Sequence, residues 1–217
     1  MLKHSKSIFQ LEALFLGTAS LLEEKNTDTY YLGLQMEYGF LKAKYRLQCI
    51  PSQLKFGRMR PRNLPHIKLA QLAALFHHIP NFCQMVLDFP DIKKIKKLLQ
   101  FDLSLYWNTH YSFGKESKEQ KKNISPSFIN HLFLNAIIPF TFHYQKIKMD
   151  QNGEKALSYL EALPSEKNSI LSNWDSIGIK SNNALNSQSL LHLYKHYCQP
   201  KKCLNCNIGR AILVKSQ

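Results

Sequence analysis

Prolines divide this chain into stretches of helical length, and within them apolar residues recur every three or four positions. That spacing places side chains on one helix face and does not suit strands, whose period is two. Residues 7–22 read as a first helix, with Ile8, Leu11, Phe15 and Leu22 in phase. Residues 29–47 read as a second, opened by an Asp28 or Thr27 cap, with Tyr31, Leu34, Tyr38 and Leu41 on one face and Pro51 beyond its end. Residues 66–79 form a third, set between Pro65 and Pro80. Pro90 opens a short helix in which Ile92, Ile95, Leu98 and Leu99 face inward and Lys93, Lys94, Lys96 and Lys97 outward.

Later segments follow the same pattern: a buried helix over 128–144 kinked at Pro139, then helices over 153–163, 165–177 and 183–197. The stretch GKESKEQKKNISP, beginning at Gly114, is polar and lacks apolar periodicity, as a linker does. The expected fold is all-α: an irregular bundle of about eight helices ending in a cysteine-containing loop. It divides into an N-terminal lobe over 1–113, a polar linker or loop over 114–127 and a C-terminal lobe over 128–217. No internal repeat and no convincing strand pair stands out.

Lys3, His4 and Lys6 before an apolar stretch imitate a signal peptide, but Gln10 and Glu12 interrupt that stretch. No segment offers the ~20 uninterrupted apolar residues of a membrane span. Five cysteines are too few and too uneven for a secreted disulfide framework, so a cytoplasmic protein with no membrane partner is expected.

The formal charge is +14, from 29 Lys and Arg against 15 Asp and Glu. Acidic residues stop at Asp175, and Lys180, Lys195, Lys201, Lys202, Arg210 and Lys215 follow without any to offset them. Such a field favours a polyanionic partner, meaning nucleic acid, an anionic membrane surface or an acidic protein. The plainer alternative is that the charge maintains solubility. Arg58, Arg60 and Arg62 alternate in KFGRMRPRNLPHIK, so an extended backbone would align three guanidiniums with Lys68 close behind, a candidate phosphate grip. Pairing of these arginines with Glu12 or Glu37 is the competing reading. Tyr106, Trp107, His110, Tyr111 and Phe113, beside Lys115 and Lys118, could stack bases, although aromatics this dense more often fill a core.

Cys198, Cys203 and Cys206 form a C-x4-C-x2-C arrangement, with His192 and His196 one helical turn apart just upstream. Three thiolates with either imidazole, His196 or His192, would complete a Cys3His zinc site. The same cysteine spacing occurs in plant-type iron–sulfur proteins, where Cys83 or Cys49 would have to supply the fourth thiolate. Three reduced thiols at a helix end are the simplest alternative. Lys201, Lys202 and Arg210 should lower the thiol pKa values. The chain carries no nucleophile elbow, phosphate-binding loop, zinc-protease helix or dinucleotide fingerprint, so no catalytic role is expected of it alone.

The segments IFQLEALFLGTASLL, FLKAKYRL, RMRPRNLPHIKLAQLAAL, YWNTHYSFGK, LPSEKNSI and YCQPKKCLNCNIG together resemble the uncharacterised bacterial family called domain of unknown function 2851, found especially in Bacteroidetes. The resemblance runs almost end to end and covers the C-terminal half of that family. It implies an upstream region of restriction-endonuclease-like fold, here missing, with Met1 an internal start of a split or truncated reading frame. It also implies that Cys198, Cys203 and Cys206 are the family-like motif. The leading expectation is a non-catalytic module that binds DNA or RNA beside an upstream nuclease-like domain or protein, stapled by zinc or an iron–sulfur cluster. An iron–sulfur or thiol redox protein is one alternative, and an interaction scaffold or truncated gene product another.

Overall fold

The computed structural model describes residues 7–48, 54, 56, 60, 63–88, 91–148 and 152–215, the side chains of 214 and 215 excepted. It is mostly helical, as the periodicity requires, with twelve α-helical segments among the described residues, eleven of them at least seven residues long. The chain forms two compact units, Met1–Ile129 and Asn130–Gln217.

In the first unit α1 (Ile8–Thr18) packs against α2 (Thr29–Tyr45) and α3 (Pro65–His78). Ser7 caps α1 and Asp28 caps α2, each side chain accepting a first-turn backbone N–H. Tyr31, Leu34, Tyr38 and Leu41 are the buried face of α2, as their spacing predicts. They meet Leu11, Ala13 and Leu16 of α1, while Ile67, Ala70, Ala73 and Ala74 form the buried face of α3. The small residues allow close approach, and Gly17 takes this furthest: a Cβ there would lie 2.2 Å from the Tyr38 ring.

Two short helices follow, α4 (Phe82–Asp88), which the sequence reading passes over, and α5 (Ile92–Leu98). Ile92, Ile95 and Leu99 are buried as expected, but Leu98 is exposed, because the helix is too short for its apolar face to extend that far round. A single turn, α6 (Tyr106–Thr109), leads into a tight hairpin of β1 (His110–Ser112) and β2 (Lys115–Glu116), turned by Gly114 at φ 68°. Among the described residues that hairpin is the one sheet, a small addition to the all-α expectation.

The stretch expected to be a bare linker packs within the first unit. Lys122 is only 2% exposed. Its ammonium donates to the Asn108 carbonyl at 2.7 Å and sits 4.2 Å from the Tyr111 ring centroid, while Gln71 donates to its backbone carbonyl. A buried cation must find such partners, which composition alone does not reveal.

A further helical segment, α7 (Pro126–Leu132), passes through a π-helical turn (Phe133–Ile137) into α8 (Ile138–Lys148) as one continuous helix. The π turn sits where Pro139, lacking an N–H, cannot complete regular helical bonding to Asn135. The second unit adds α9 (Glu154–Ala162), α10 (Ser169–Ser176) and α11 (Ala184–Leu193) around Phe133, Ile137, Tyr159, Leu163 and Leu191, while α12 (Asn207–Lys215) packs on the turn at Cys203–Asn205. α10 starts later than its apolar pattern suggests because Asn168 takes the cap and Pro164 bridges to Asn183. No helix among the described residues is long and apolar enough to cross a membrane.

Candidate functional site

The densest polar chemistry lies in the first unit, around a carboxylate that the sequence reading considered only as a partner for arginine. Glu12, on the inner face of α1, is fully buried. Its Oε2 accepts from the Tyr30 hydroxyl at 2.6 Å and from Trp107 Nε1 at 3.0 Å, and its Oε1 accepts from the Ser104 hydroxyl at 2.8 Å. Burial pushes this carboxyl above the usual carboxylate range, and the three donors pull the other way without cancelling it. Burial, reinforced by the adjoining Glu12 charge, likewise raises the Tyr30 phenol.

One layer outward, Asp28 joins the α2 cap to the hairpin. Its Oδ1 accepts from the Tyr31 N–H, and its Oδ2 accepts from the Tyr106 hydroxyl at 2.6 Å and the Gly114 N–H at 3.0 Å. Burial works to raise the Asp28 carboxyl, but these bonds outweigh it and hold the group below its usual range. The Tyr106 phenol is raised by burial and by its bond to Asp28.

Above this network three rings lie in parallel. Tyr30 stacks on Tyr106 at 4.2 Å and 10°, and Tyr106 on His110 at 4.0 Å and 8°. They border an open cleft of roughly 700 Å³, also lined by Phe9, Gly33, Asp28 and Glu116. Of the aromatics expected to stack bases, Trp107 and Phe113 are buried core, whereas Tyr106 and His110 reach the cleft. Phenol, imidazole and carboxylate thus converge from α2, α6 and the hairpin. No helical repeat could reveal this, since Glu12 and Ser104 are far apart in the chain.

The expected phosphate grip is placed only in part. Arg58 and Arg62 lie outside the described residues, and Arg60 is exposed. Lys68 turns inward, its ammonium 3.6 Å from the Phe128 ring centroid and donating to Gln71, and burial lowers its pKa. A lysine so engaged is poorly disposed to meet phosphate. Lys93, Lys94 and Lys97 of α5, by contrast, are exposed.

The C-terminal thiols occupy a different setting. α11 runs into a π-helical turn (Tyr194–Cys198) that carries His196, and a 3-10 turn (Cys203–Asn205) precedes α12. His196 packs against His192, ring centroids 4.3 Å apart. Gly209 lets α12 fold tightly onto the Cys203 turn, since a Cβ there would sit 2.4 Å from the Cys203 carbonyl oxygen. Cys198 and Cys203 are exposed and Cys206 is buried. Partial burial, then the charges of Cys206 and Cys203, push the Cys198 thiol up, opposite to the lowering expected from Lys201, Lys202 and Arg210. Among the described residues no three His, Cys, Asp or Glu side chains converge as a metal would require, so Cys198, Cys203, Cys206 and His196 are not gathered into a tetrahedral set. Cys49 lies outside the described residues.

No curated protein and no solved structure matches this chain. The family described as protein of unknown function (DUF2851) matches residues 1–169, which contain the Glu12 network and the cleft. The match ends before the cysteines, so the C-x4-C-x2-C motif that the resemblance had suggested as family-like is outside it. Covering most of the sequence, this match places the chain in the DUF2851 family of proteins of unknown function.

Proposed function

We propose that this chain is a non-catalytic helical module that binds nucleic acid through its phosphates, accessory to a nuclease-like domain or protein supplied from outside the present sequence. The observation that carries the reading is a run of exposed cations over the last forty or so residues of the sequence. No Asp or Glu follows Asp175, and Lys180, Lys195, Lys201, Lys202 and Arg210 are all exposed. Exposed Arg60 and the α5 lysines extend the same chemistry in the first unit. Cations so placed release counterions when they meet a phosphate backbone, which makes affinity fall steeply with salt.

The test is fluorescence anisotropy with labelled duplex and single-stranded DNA across a salt series. Affinity should fall by on the order of a hundredfold or more between about 50 and 200 mM salt if several phosphates are engaged. A flat dependence, or no binding at low salt, overturns the reading. Incubated alone with DNA and magnesium, the chain should leave it uncut. Metal binding by the C-terminal thiols is separate from this reading, because it requires Cys198, Cys203, Cys206 and His196 to rearrange.

Exposed apolar side chains favour a second reading, an interaction scaffold. Leu32, Met36 and Phe40 recur at helical spacing on α2, with Met36 78% exposed. Light scattering over a concentration series tests it: self-association abolished by Met36→Lys supports the scaffold, and a monomer at all concentrations removes its self-associating form.

A further inference from the structure

We propose that the cleft between α1, α2 and the hairpin holds one unpaired nucleobase, stacked on His110 and read through Glu116. This rests on the nucleic-acid reading above and adds what that reading leaves open: where a base, as opposed to a phosphate, is recognised. His110 has one face on Tyr106, which in turn lies on Tyr30. His110 also lines the cleft, and among the described residues no other aromatic ring stacks on it. A rigid three-ring platform is suited to stacking, because its own ordering has been completed by folding.

The edges give the cleft its chemistry. His110 Nδ1 lies 3.0 Å from the Thr109 hydroxyl and 3.1 Å from the Tyr106 carbonyl oxygen, contacts that hold the ring over Tyr106. The hairpin register sets His110 opposite Glu116, and both line the cleft. Asp28 is already engaged by Tyr106, Gly114 and Tyr31 and holds the platform in place. A cleft edged by the Glu116 and Asp28 carboxylates repels phosphate, and the Glu116 carboxylate accepts N–H donors. It fits a base with an exocyclic amino group, as cytosine has at N4, and disfavours thymine, which offers carbonyl oxygens on both sides of its single N–H. Phosphates on either side of the base would meet exposed Lys115 and Lys118, which flank Glu116 in the chain. Gly33 lets the Phe9 ring pack against α2 at the wall of the cleft, since a Cβ there would lie 3.2 Å from that ring.

The experiment uses the full chain and labelled oligonucleotides of about twelve nucleotides, oligo(dC), oligo(dT) and a duplex, in anisotropy titrations at fixed salt. Oligo(dC) should bind about fivefold or more tightly than oligo(dT). His110→Ala should weaken single-strand binding by about fivefold or more and leave duplex affinity and its salt slope unchanged. Glu116→Ala should remove the preference for dC while dT affinity holds or rises, whereas a purely electrostatic role would raise both alike. Because Glu116 is exposed on a two-residue strand, its replacement does not threaten the fold. Equal binding of dC and dT, or an unchanged His110→Ala, overturns the base site while salt-dependent binding leaves the phosphate reading standing. Absence of salt-dependent binding to any oligonucleotide overturns both.

Discussion

Tyr30 donates a 2.6 Å hydrogen bond to Glu12, joining the second helix to a carboxylate fully buried on the first. Ser104 and Trp107 complete the set of donors, so the acid links segments distant in the chain. Glu12→Ala strands the buried Trp107 N–H and takes an acceptor from the half-buried Tyr30 and Ser104 hydroxyls, and should cost about 2 kcal/mol or more in urea unfolding, against about 1 for Glu12→Gln, whose amide oxygen still accepts. The pH dependence has a definite sign. The folded-state pKa is raised, so the contribution of Glu12 is fullest below the ordinary glutamate value of about 4.3 and declines as pH rises through the folded value. Glu12→Gln should therefore flatten that part of the stability profile; an unaltered profile would show Glu12 to be ionised without penalty.

Gly17 and Gly39 are both helical glycines with opposite expected responses. A methyl group at Gly17 collides with the buried Tyr38 ring, whereas one at Gly39 meets nothing within 4 Å. Gly17→Ala should destabilise by about 3 kcal/mol through overpacking. Gly39→Ala should stabilise by about 0.5–1 kcal/mol through helix propensity. Equal effects in thermal unfolding would mean that α1 and α2 do not approach as closely as described.

The helices were legible where one face is buried and the boundary has a chemical marker. Tyr31, Leu34, Tyr38 and Leu41 declare a face, Asp28 the start and Pro65 another start. Ile92, Ile95 and Leu99 do the same on a shorter element. What escaped has no period. Ile208 and Ile212 of α12 are exposed, so no buried stripe announces that helix. The hairpin is too short for alternation to show. The site was harder still, because Glu12, Asp28, Ser104 and His110 meet only through tertiary packing. A carboxylate among the apolar residues of α1 was the available clue: such a residue is expensive to bury unless donors await it.

Asp28 closes the hairpin onto α2 with a carboxylate held below its usual pKa range. Here the sign is reversed from Glu12: its contribution is present above the unfolded value of about 3.9 and is lost as pH falls through the lower folded value. Asp28→Ala removes a helix cap and the acceptor of Tyr106, together about 2 kcal/mol. Asp28→Asn keeps the cap oxygen but presents an amide to Tyr106 and Gly114, so it should lose about half as much and also remove this share of the acid sensitivity. Chemical unfolding at about pH 3 and 7 separates the cases; a uniform loss at both would leave the cap alone as the cause.

Thiol chemistry distinguishes the folded arrangement of the C-terminal cysteines from a metal-bound one. Cys198 and Cys203 are exposed and Cys206 is buried, so iodoacetamide should label the first two in the native protein and Cys206 only after unfolding. The Cys198 thiol is raised by partial burial and by its two cysteine neighbours, leaving less thiolate at neutral pH. Its labelling rate should therefore continue to climb above the ordinary thiol range of about 8.5. Peptide mass spectrometry gives each rate separately, and a zinc indicator in the same samples should register no release. Common protection of Cys198, Cys203 and Cys206, lifted only by a strong chelator with release of metal, would show that these residues do converge and that the open arrangement of their side chains is the state without its ion.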